Sequence, residues 1–136
     1  MNKDASALAS MMPFAATCGV EIEEATSTMV HGRMAWAPER CTAGGVMHGG
    51  ALMTLADSVG AICAFLNLPE GATTATVESK TNFFRAVRSG SVVATAQPLH
   101  VGRTLITVQT AIRDDRDRLV AQTTQTQAVL AAASKE

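Results

Sequence analysis

The chain has 136 residues, a length that predicts one compact domain with a single hydrophobic core. Eleven Lys and Arg residues against twelve Asp and Glu residues give a formal net charge of -1, which argues against the basic surface that nucleic-acid binding requires. Hydrophobic residues make up 47% and charged residues only 17%, which argues against a disordered chain and indicates surface hidden between subunits.

The three cysteines, Cys18, Cys41 and Cys63, show no C-x-x-C spacing and do not cluster with the histidines in the sequence. We therefore expect neither a disulfide framework nor a metal site. We expect the thiols to be reduced, as is usual in the cytoplasm. The first fifteen residues contain no continuous apolar run, so we expect no secretory signal. The longest apolar stretch, residues 51–66, is interrupted by Asp57 and is shorter than the roughly 20 residues that cross a bilayer, so we expect no membrane span.

The predicted elements begin with a short N-terminal helix in residues 4–17 and a β-hairpin over residues 21–36. A loop over 38–45 leads to a long central helix over 48–66. Four alternating segments then predict strands joined by short turns: Thr74–Val87, Ser91–His100, Thr104–Ile112 and Leu119–Leu130. This order predicts an α+β fold in which an antiparallel β-sheet packs on one long central α-helix. No linker divides the chain, so we expect a single domain over 1–136, with residues 1–18 as an N-terminal helical segment.

The central helix has two different faces. At 100° per residue, one stripe is bulky and apolar, as a sheet-facing side should be: Leu52, Leu55, Val59, Ile62 and Leu66. The opposite stripe is small and has Asp57 at its centre: Gly50, Met53, Thr54, Asp57, Gly60, Ala61 and Ala64. A solvated face would carry further charges, yet residues 49–66 contain no other charged side chain. Because a carboxylate among small neutral neighbours is costly to bury, Asp57 is either a functional acid or a simple exposed aspartate.

His48 lies nine residues before Asp57, which on a regular helix corresponds to about 900° and about 13.5 Å of rise. The two side chains therefore cannot act together within one chain. In a two-fold dimer the start of one helix can approach the middle of the other, which brings His48 and Gly49 near Asp57 of a second copy. Gly49 and Gly50 offer free N–H groups at the positive end of the helix dipole, a seat for an oxyanion as well as a common tight-turn signal. The spacing predicts a composite active site.

The run from Gly45 through His48-Gly49-Gly50 to Asp57 resembles the HGG-x(6)-D signature of the hotdog-fold thioesterases, in particular the phenylacetate-degradation (PaaI-like) group acting on acyl-CoA. Later segments extend the resemblance over about residues 19–130. They are Asn82-Phe83 with Arg85, the run Val87-Arg88-Ser89-Gly90, the turn Gly102-Arg103-Thr104-Leu105, and Leu119-Val120-Ala121.

The resemblance implies a hotdog fold with its active site between the two subunits of a homodimer, often paired again into a homotetramer. It implies that Asp57 is the nucleophile or the general base for water, and that the Gly49 amide is the oxyanion hole. His48 would orient the carbonyl or order the loop, with a helix-capping or core histidine as the alternative. Thr42 stands where the family often has Asn or Gln, which puts rate or substrate range in doubt. Thr76 aligns with a hydroxyl residue that helps to place the lytic water.

Coenzyme A carries phosphate charges, and the segment from Lys80 to Arg113 contains five basic and no acidic residues. The candidate substrate-binding residues are Gly50, Asn82, Phe83, Arg85, Arg88, Arg103 and Thr104. Arg103, in a turn, is the strongest candidate, with a solvated turn arginine as its alternative. Coenzyme A is part of the substrate in this interpretation, and no cofactor is implied.

The leading hypothesis is therefore a cytoplasmic acyl-CoA thioesterase that has neither nucleic acid nor membrane as a partner. Two alternatives stay open. One is a hydratase or dehydratase of the same fold, and the other is a non-catalytic acyl-CoA binding or sensor protein. The chain lacks a G-x-S-x-G elbow, so a serine-hydrolase mechanism has no support.

Overall fold

The computed structural model describes residues 3–132. Two short helices, α1 (Lys3–Ser10) and α2 (Pro13–Thr17), precede a long helix, α3 (Gly49–Phe65). The six strands are β1 (Glu21–Ala25), β2 (Val30–Ala35), β3 (Thr73–Phe83), β4 (Ser91–Val101), β5 (Leu105–Arg113) and β6 (Leu119–Leu130). None of the helices within residues 3–132 has both the length and the apolarity needed to cross a membrane.

The strands form one antiparallel sheet in the order β1-β2-β4-β5-β6-β3, and α3 contacts all six of them. The predicted α+β architecture, an antiparallel sheet wrapped around one long central helix, is therefore confirmed. Four residues of the predicted bulky stripe are buried against the sheet: Leu52, Leu55, Val59 and Ile62. Their neighbours on the inner sheet face include Ile106, Val108 and Ile112, which are fully buried.

Two features differ from the sequence prediction by more than one residue at the end of an element. The N-terminal helix is broken into α1 and α2 at Met11–Met12, because Pro13 disfavours helical backbone in the residue before it. Strand β3 ends at Phe83, four residues before the predicted end at Val87. Beyond Phe83 the chain leaves the sheet, and the Val87 carbonyl accepts a hydrogen bond from Met47 N–H (2.8 Å) just before α3. An irregular segment that contacts the loop before α3 therefore replaces the last predicted part of the strand.

Strand β3 is an edge strand that runs antiparallel to α3. Phe83, at its end, lies beside Gly49 at the start of the helix. Ser79 borders the same cavity as Asp57, and Thr74 borders the same cavity as Phe65 near the end of the helix. One side of β3 pairs with β6, and the other side has no partner strand within residues 3–132. The start, middle and end of α3 thus lie beside the end, middle and start of β3, whose outer edge has no partner strand among the described residues.

Candidate active site

A groove follows the face of α3 that does not pack on the sheet. A cavity of about 650 Å³ lies beside His48 and Gly50, and a second of about 470 Å³ lies beside Asp57. Both cavities are lined by Thr54 of α3 and Phe14 of α2, so they adjoin along the helix. The groove therefore connects the two features that the sequence singles out.

His48 closes the start of α3. Its backbone is extended (φ -63°, ψ 137°), and its Nδ1 atom accepts a hydrogen bond from Gly50 N–H at 2.7 Å. The His48 carbonyl accepts from the N–H groups of Ala51 (2.9 Å) and Leu52 (3.2 Å). Because Nδ1 is an acceptor, the proton of the neutral ring sits on Nε2. The capping role that was one of the alternatives for His48 is thus present, and its Nε2–H is left for other partners.

These caps leave one amide unused. Of the first four N–H groups of α3, those of Gly50, Ala51 and Leu52 bond to His48, whereas Gly49 N–H has no partner among residues 3–132. The Phe83 ring covers this position, since a Cβ placed on Gly49 would lie 3.4 Å from the ring. A single free N–H at the positive end of a helix, beside an apolar wall, is suited to hold a carbonyl oxygen as negative charge develops on it.

Asp57 lies in the middle of α3, on the side that faces the groove, and its side chain is exposed in the single chain. Desolvation by its apolar surroundings raises the pKa of Asp57 above the ordinary 3.8, and a hydrogen bond from Gln125 partly offsets this effect. Among the residues lining its cavity, Asp57 alone is ionisable. The carboxylate is therefore a stronger base than an ordinary surface aspartate, without a cation to neutralise it.

Beneath Asp57 lies a chain of polar side chains in the core. Gln125 and Gln127 of β6 are buried, and Gln125 Nε2 donates to Asp57 Oδ1 at 3.5 Å and to Gln127 Oε1 at 3.0 Å. Thr76 Oγ1 donates to the same Gln127 Oε1 at 2.6 Å. Thr76 is thus three hydrogen bonds away from Asp57, and its hydroxyl bonds to the core glutamine Gln127.

Several other predicted residues gather at the Gly49 end of the groove. Gly50 lines the cavity beside His48, and Phe83 covers Gly49. Arg85 is exposed in the connection that follows β3. Arg88 lines a separate polar cavity of about 350 Å³ with Asp114 and other charged residues of the β5–β6 turn. This end of the molecule therefore carries the basic side chains that follow β3.

The remaining predicted residues lie elsewhere in the single chain. Thr42 is exposed in the loop before α3, where its N–H bonds to Val46 O at 2.8 Å, and it does not line the groove. Asn82 points to the sheet face opposite to that of Phe83, because neighbouring strand residues alternate. Arg103 and Thr104 lie near the end of α3. The Thr104 carbonyl accepts a hydrogen bond from the N–H of Val129, and Val129 pairs with Thr74 at the start of β3, which lies beside the end of α3.

The sequence interpretation missed the residues that come from distant segments. Gln125 and Gln127 support Asp57 from β6, Phe14 forms the outer wall of both cavities, and Arg40 contributes a cationic side chain beside His48. A signal for the glutamines was present, because residues 122–127 read QTTQTQ. A six-residue segment of a strand with no apolar residue, placed inside a sheet that must bury one face, has to bury polar groups.

Other reaction centres have little support. Within the described chain, no three His, Cys, Asp or Glu side chains are grouped so that they could hold a metal ion. Cys18, Cys41 and Cys63 are unpaired, and burial raises the pKa of Cys63 to about 11. The Cys63 thiol is thus protonated near neutral pH and is a poor nucleophile. Asp57 is the ionisable side chain in the cavity at the middle of α3.

A central helix in contact with all six strands of an antiparallel sheet, with a glycine-rich start and a groove carboxylate, defines the hotdog class of protein. The chain belongs to the Thioesterase superfamily, whose sequence profile matches residues 44–121. The class of enzyme predicted from the sequence, a thioester hydrolase, is thereby confirmed.

Individual relatives agree with this assignment. A thioesterase of Haemophilus influenzae has a similar structure (TM-score 0.88, 28% identity), covering 96% of this chain and 91% of that one. A Mycobacterium tuberculosis (strain H37Rv) protein that carries the name of an esterase is 32% identical over 114 residues, 82% of this chain and 81% of its own length. The 1,4-dihydroxy-2-naphthoyl-CoA hydrolase of Escherichia coli K12 is 33% identical over 86 residues, 63% of each chain.

Proposed function

We propose that the protein hydrolyses acyl-CoA thioesters to a free acid and coenzyme A, and that it falls in the PaaI-like group. The observation that carries this proposal is the single unpartnered amide of Gly49, whose neighbours His48 and Gly50 line the cavity that adjoins the one at the Asp57 carboxylate. A relative from Escherichia coli is named as a hydrolase of a CoA thioester, which supports this substrate class. We expect the protein to act in the cytoplasm, because its cysteines are free thiols.

The complete site needs two copies of the chain. Gly49 and Asp57 are eight residues apart, which corresponds to about 12 Å along the helix axis, too far for both to contact one thioester carbonyl. Met53 is the midpoint between them. A two-fold axis that passes α3 at Met53 would set Gly49 of one copy opposite Asp57 of the other. Each dimer would then contain two equivalent sites.

The sheet edge offers the surface for such a dimer. Strand β3 has eleven residues, one unpaired edge and apolar side chains near it, with Val77 60% and Phe83 48% exposed. An exposed strand of this length and apolarity is a template for pairing with a second copy. Antiparallel pairing of two β3 strands would also set the two α3 helices antiparallel, as the composite site requires. Further pairing into a dimer of dimers stays a prediction.

In the proposed reaction, Gly49 N–H of one copy donates to the thioester oxygen, and the Asp57 carboxylate of the other removes a proton from water. The hydroxide adds to the carbonyl carbon, and the tetrahedral oxyanion is held by the Gly49 amide. The carbon–sulfur bond then breaks, and the coenzyme A thiolate takes up the proton from Asp57. In the alternative route Asp57 itself attacks the carbon, and water cleaves the resulting anhydride. No cofactor takes part in either route.

The surroundings of Asp57 favour an apolar acyl group. Met12, Phe14 and Met53 form apolar walls around the carboxylate, and Met12 also borders an apolar cavity of about 210 Å³ near the end of α3. An acyl group with its own carboxylate would be repelled by Asp57, since no cation lines this cavity. The same two-fold axis would place Arg103 of one copy near the Gly49 end of the groove in the other copy. Arg103, Arg40 and Arg85 are therefore the candidate contacts for the coenzyme A phosphates.

A panel of acyl-CoA substrates tests the proposed function, with free coenzyme A followed by a thiol reagent. We expect thiol release from apolar acyl-CoAs and slower release, by about tenfold or more, from acyl-CoAs that end in a carboxylate, because one repulsive contact near Asp57 is worth about 1.4 kcal/mol. Loss of the acyl double bond without thiol release would identify a hydratase. Binding of acyl-CoA without any reaction would identify a sensor, and either result would overturn the proposal.

A further inference from the structure

We propose that Gln125 is a positioning residue for Asp57: its buried amide holds Oδ1 from beneath and leaves Oδ2 for water or substrate. This inference rests on the proposed function of Asp57. Gln125 lies on the inner face of β6 and is fully buried, whereas Asp57 reaches into the groove from α3. Gln125 Nε2 is 3.5 Å from Asp57 Oδ1, and Asp57 Oδ2 has no hydrogen-bond partner in the part of the chain that the structure describes.

The orientation of the Gln125 amide follows from its neighbours. Gln127 Oε1 accepts from both Gln125 Nε2 and Thr76 Oγ1, and Gln127 Nε2 donates to Thr74 Oγ1 at 3.1 Å. The Thr74 hydroxyl in turn donates to the Ala128 carbonyl at 2.8 Å. Rotating the Gln125 amide by half a turn would place its oxygen against Gln127 Oε1 and the Asp57 carboxylate. The network therefore directs an N–H of Gln125 at Asp57.

This orientation of the Gln125 amide lowers the stability of the fold, which a glutamine with a purely structural role would not do. Gln125 Oε1 is buried without a hydrogen-bond partner among residues 3–132, and it lies against Gly60 of α3. A Cβ on Gly60 would overlap this oxygen, so only glycine admits the amide at this point of the helix. A buried acceptor without a partner destabilises a fold. The amide is thus held with its N–H groups toward Asp57 and Gln127 although its oxygen has no partner among the described residues.

Few other groups can tune the Asp57 carboxylate. On α3 itself the nearest titratable residue is Cys63, six positions further along the helix, whose pKa is raised to about 11 by burial, and His48 lies about 13.5 Å away in the other direction. β6 presents Thr123, Gln125 and Gln127 to the helix, and β3 presents Ser79 and Thr81. The part of α2 that lines the cavity is uncharged. In the proposed dimer the cavity beside His48 of the second copy, which Glu39, Arg40 and Cys41 also line, would come closer to Asp57. Gln125 is thus the main stabilising contact of the ionised acid.

The test replaces Gln125 with Met, which has a similar volume and no amide. We expect kcat for an apolar acyl-CoA to fall roughly 10- to 100-fold with KM changed less than about twofold, because the carboxylate loses its fixed direction. The acid limb of the pH–rate profile should move to higher pH, since the hydrogen bond that favours the ionised form is lost. The melting temperature should stay the same or rise, because the unpartnered oxygen is removed as well.

Two further variants make this test specific. Thr110→Val removes another buried oxygen that has no hydrogen-bond partner in the described chain, on the neighbouring strand β5. It should keep the wild-type rate and pH profile. Gly60→Ala displaces the Gln125 amide without removing it, and should shift the rate and the pH profile in the same direction as Gln125→Met.

Titration of the Asp57 carboxyl carbon by ¹³C NMR separates this proposal from the proposed function. A higher Asp57 pKa in Gln125→Met than in Thr110→Val supports the positioning contact even if no acyl-CoA is hydrolysed. An unchanged Asp57 pKa would overturn it. An unchanged kcat with a lower melting temperature would also overturn it, because Gln125 would then serve only the stability of the core.

Discussion

Asp57→Asn should lower kcat for acyl-CoA hydrolysis by about 10²- to 10⁴-fold, the range for loss of a general base, and by more if Asp57 is the nucleophile. Asparagine has nearly the same shape, and its Oδ1 can still accept from Gln125 Nε2, so the groove should keep its form. The measurement is steady-state kinetics of thiol release from the best substrate of the panel.

The stability of this variant provides its control. The Asp57 pKa is raised in the fold, so ionising the acid costs stability as the pH rises above the ordinary value of 3.8. Asp57→Asn removes that cost, and its melting temperature near neutral pH should equal or exceed that of the wild type. Below both pKa values the two proteins should melt alike. A variant that is fully folded and hydrolyses at the wild-type rate would remove Asp57 from the mechanism.

Gly49→Pro should lower kcat about 10²- to 10³-fold while leaving the fold intact, because it deletes one N–H group and little else. Proline is favoured at the first position of a helix, and the preceding His48 already has the extended backbone (φ -63°, ψ 137°) that proline requires. The Gly49 N–H has no partner to lose within residues 3–132, and a Cβ there would meet the Phe83 ring at an ordinary contact distance of 3.4 Å.

Gly49→Ala is the matched variant, since it adds the same Cβ and keeps the N–H. The ratio of kcat between Gly49→Ala and Gly49→Pro reports the contribution of the amide, and circular dichroism melts report the fold. We expect the proline variant to melt at the wild-type temperature or slightly above, since proline restricts the unfolded chain. Equal rates for the two variants would show that this amide does not hold the oxyanion.

The central helix was predictable because its signals are local. A capping residue, a glycine pair and a one-sided apolar stripe gave α3 as residues 48–66, and the helix spans Gly49–Phe65 with His48 as its cap. The strand β6 was likewise predicted at its observed bounds, Leu119–Leu130. The end of β3 was not, because residues 84–87 continue an apolar pattern whose hydrogen bonds go to Val120 and to the loop before α3.

The groove illustrates what a single sequence cannot reveal. Asp57 and Gly49 were predicted from spacing along one element, but Gln125 reaches Asp57 across 68 positions of the sequence. Phe14 and Arg40 likewise line the groove from segments that carry no motif. Contacts of this kind depend on strand register and on close approach at Gly60, and neither leaves a periodic trace in the sequence.

The most direct test of the composite site combines the two inactive variants in one dimer. Asp57→Asn and Gly49→Pro chains, each with a different affinity tag, are co-expressed, and the mixed dimers are isolated by two successive affinity steps. In a mixed dimer one site would contain both defects and the other neither, so the account predicts about half of the wild-type activity per dimer. Mixed dimers as inactive as either parent would contradict it, because each site would then draw Gly49 and Asp57 from the same chain.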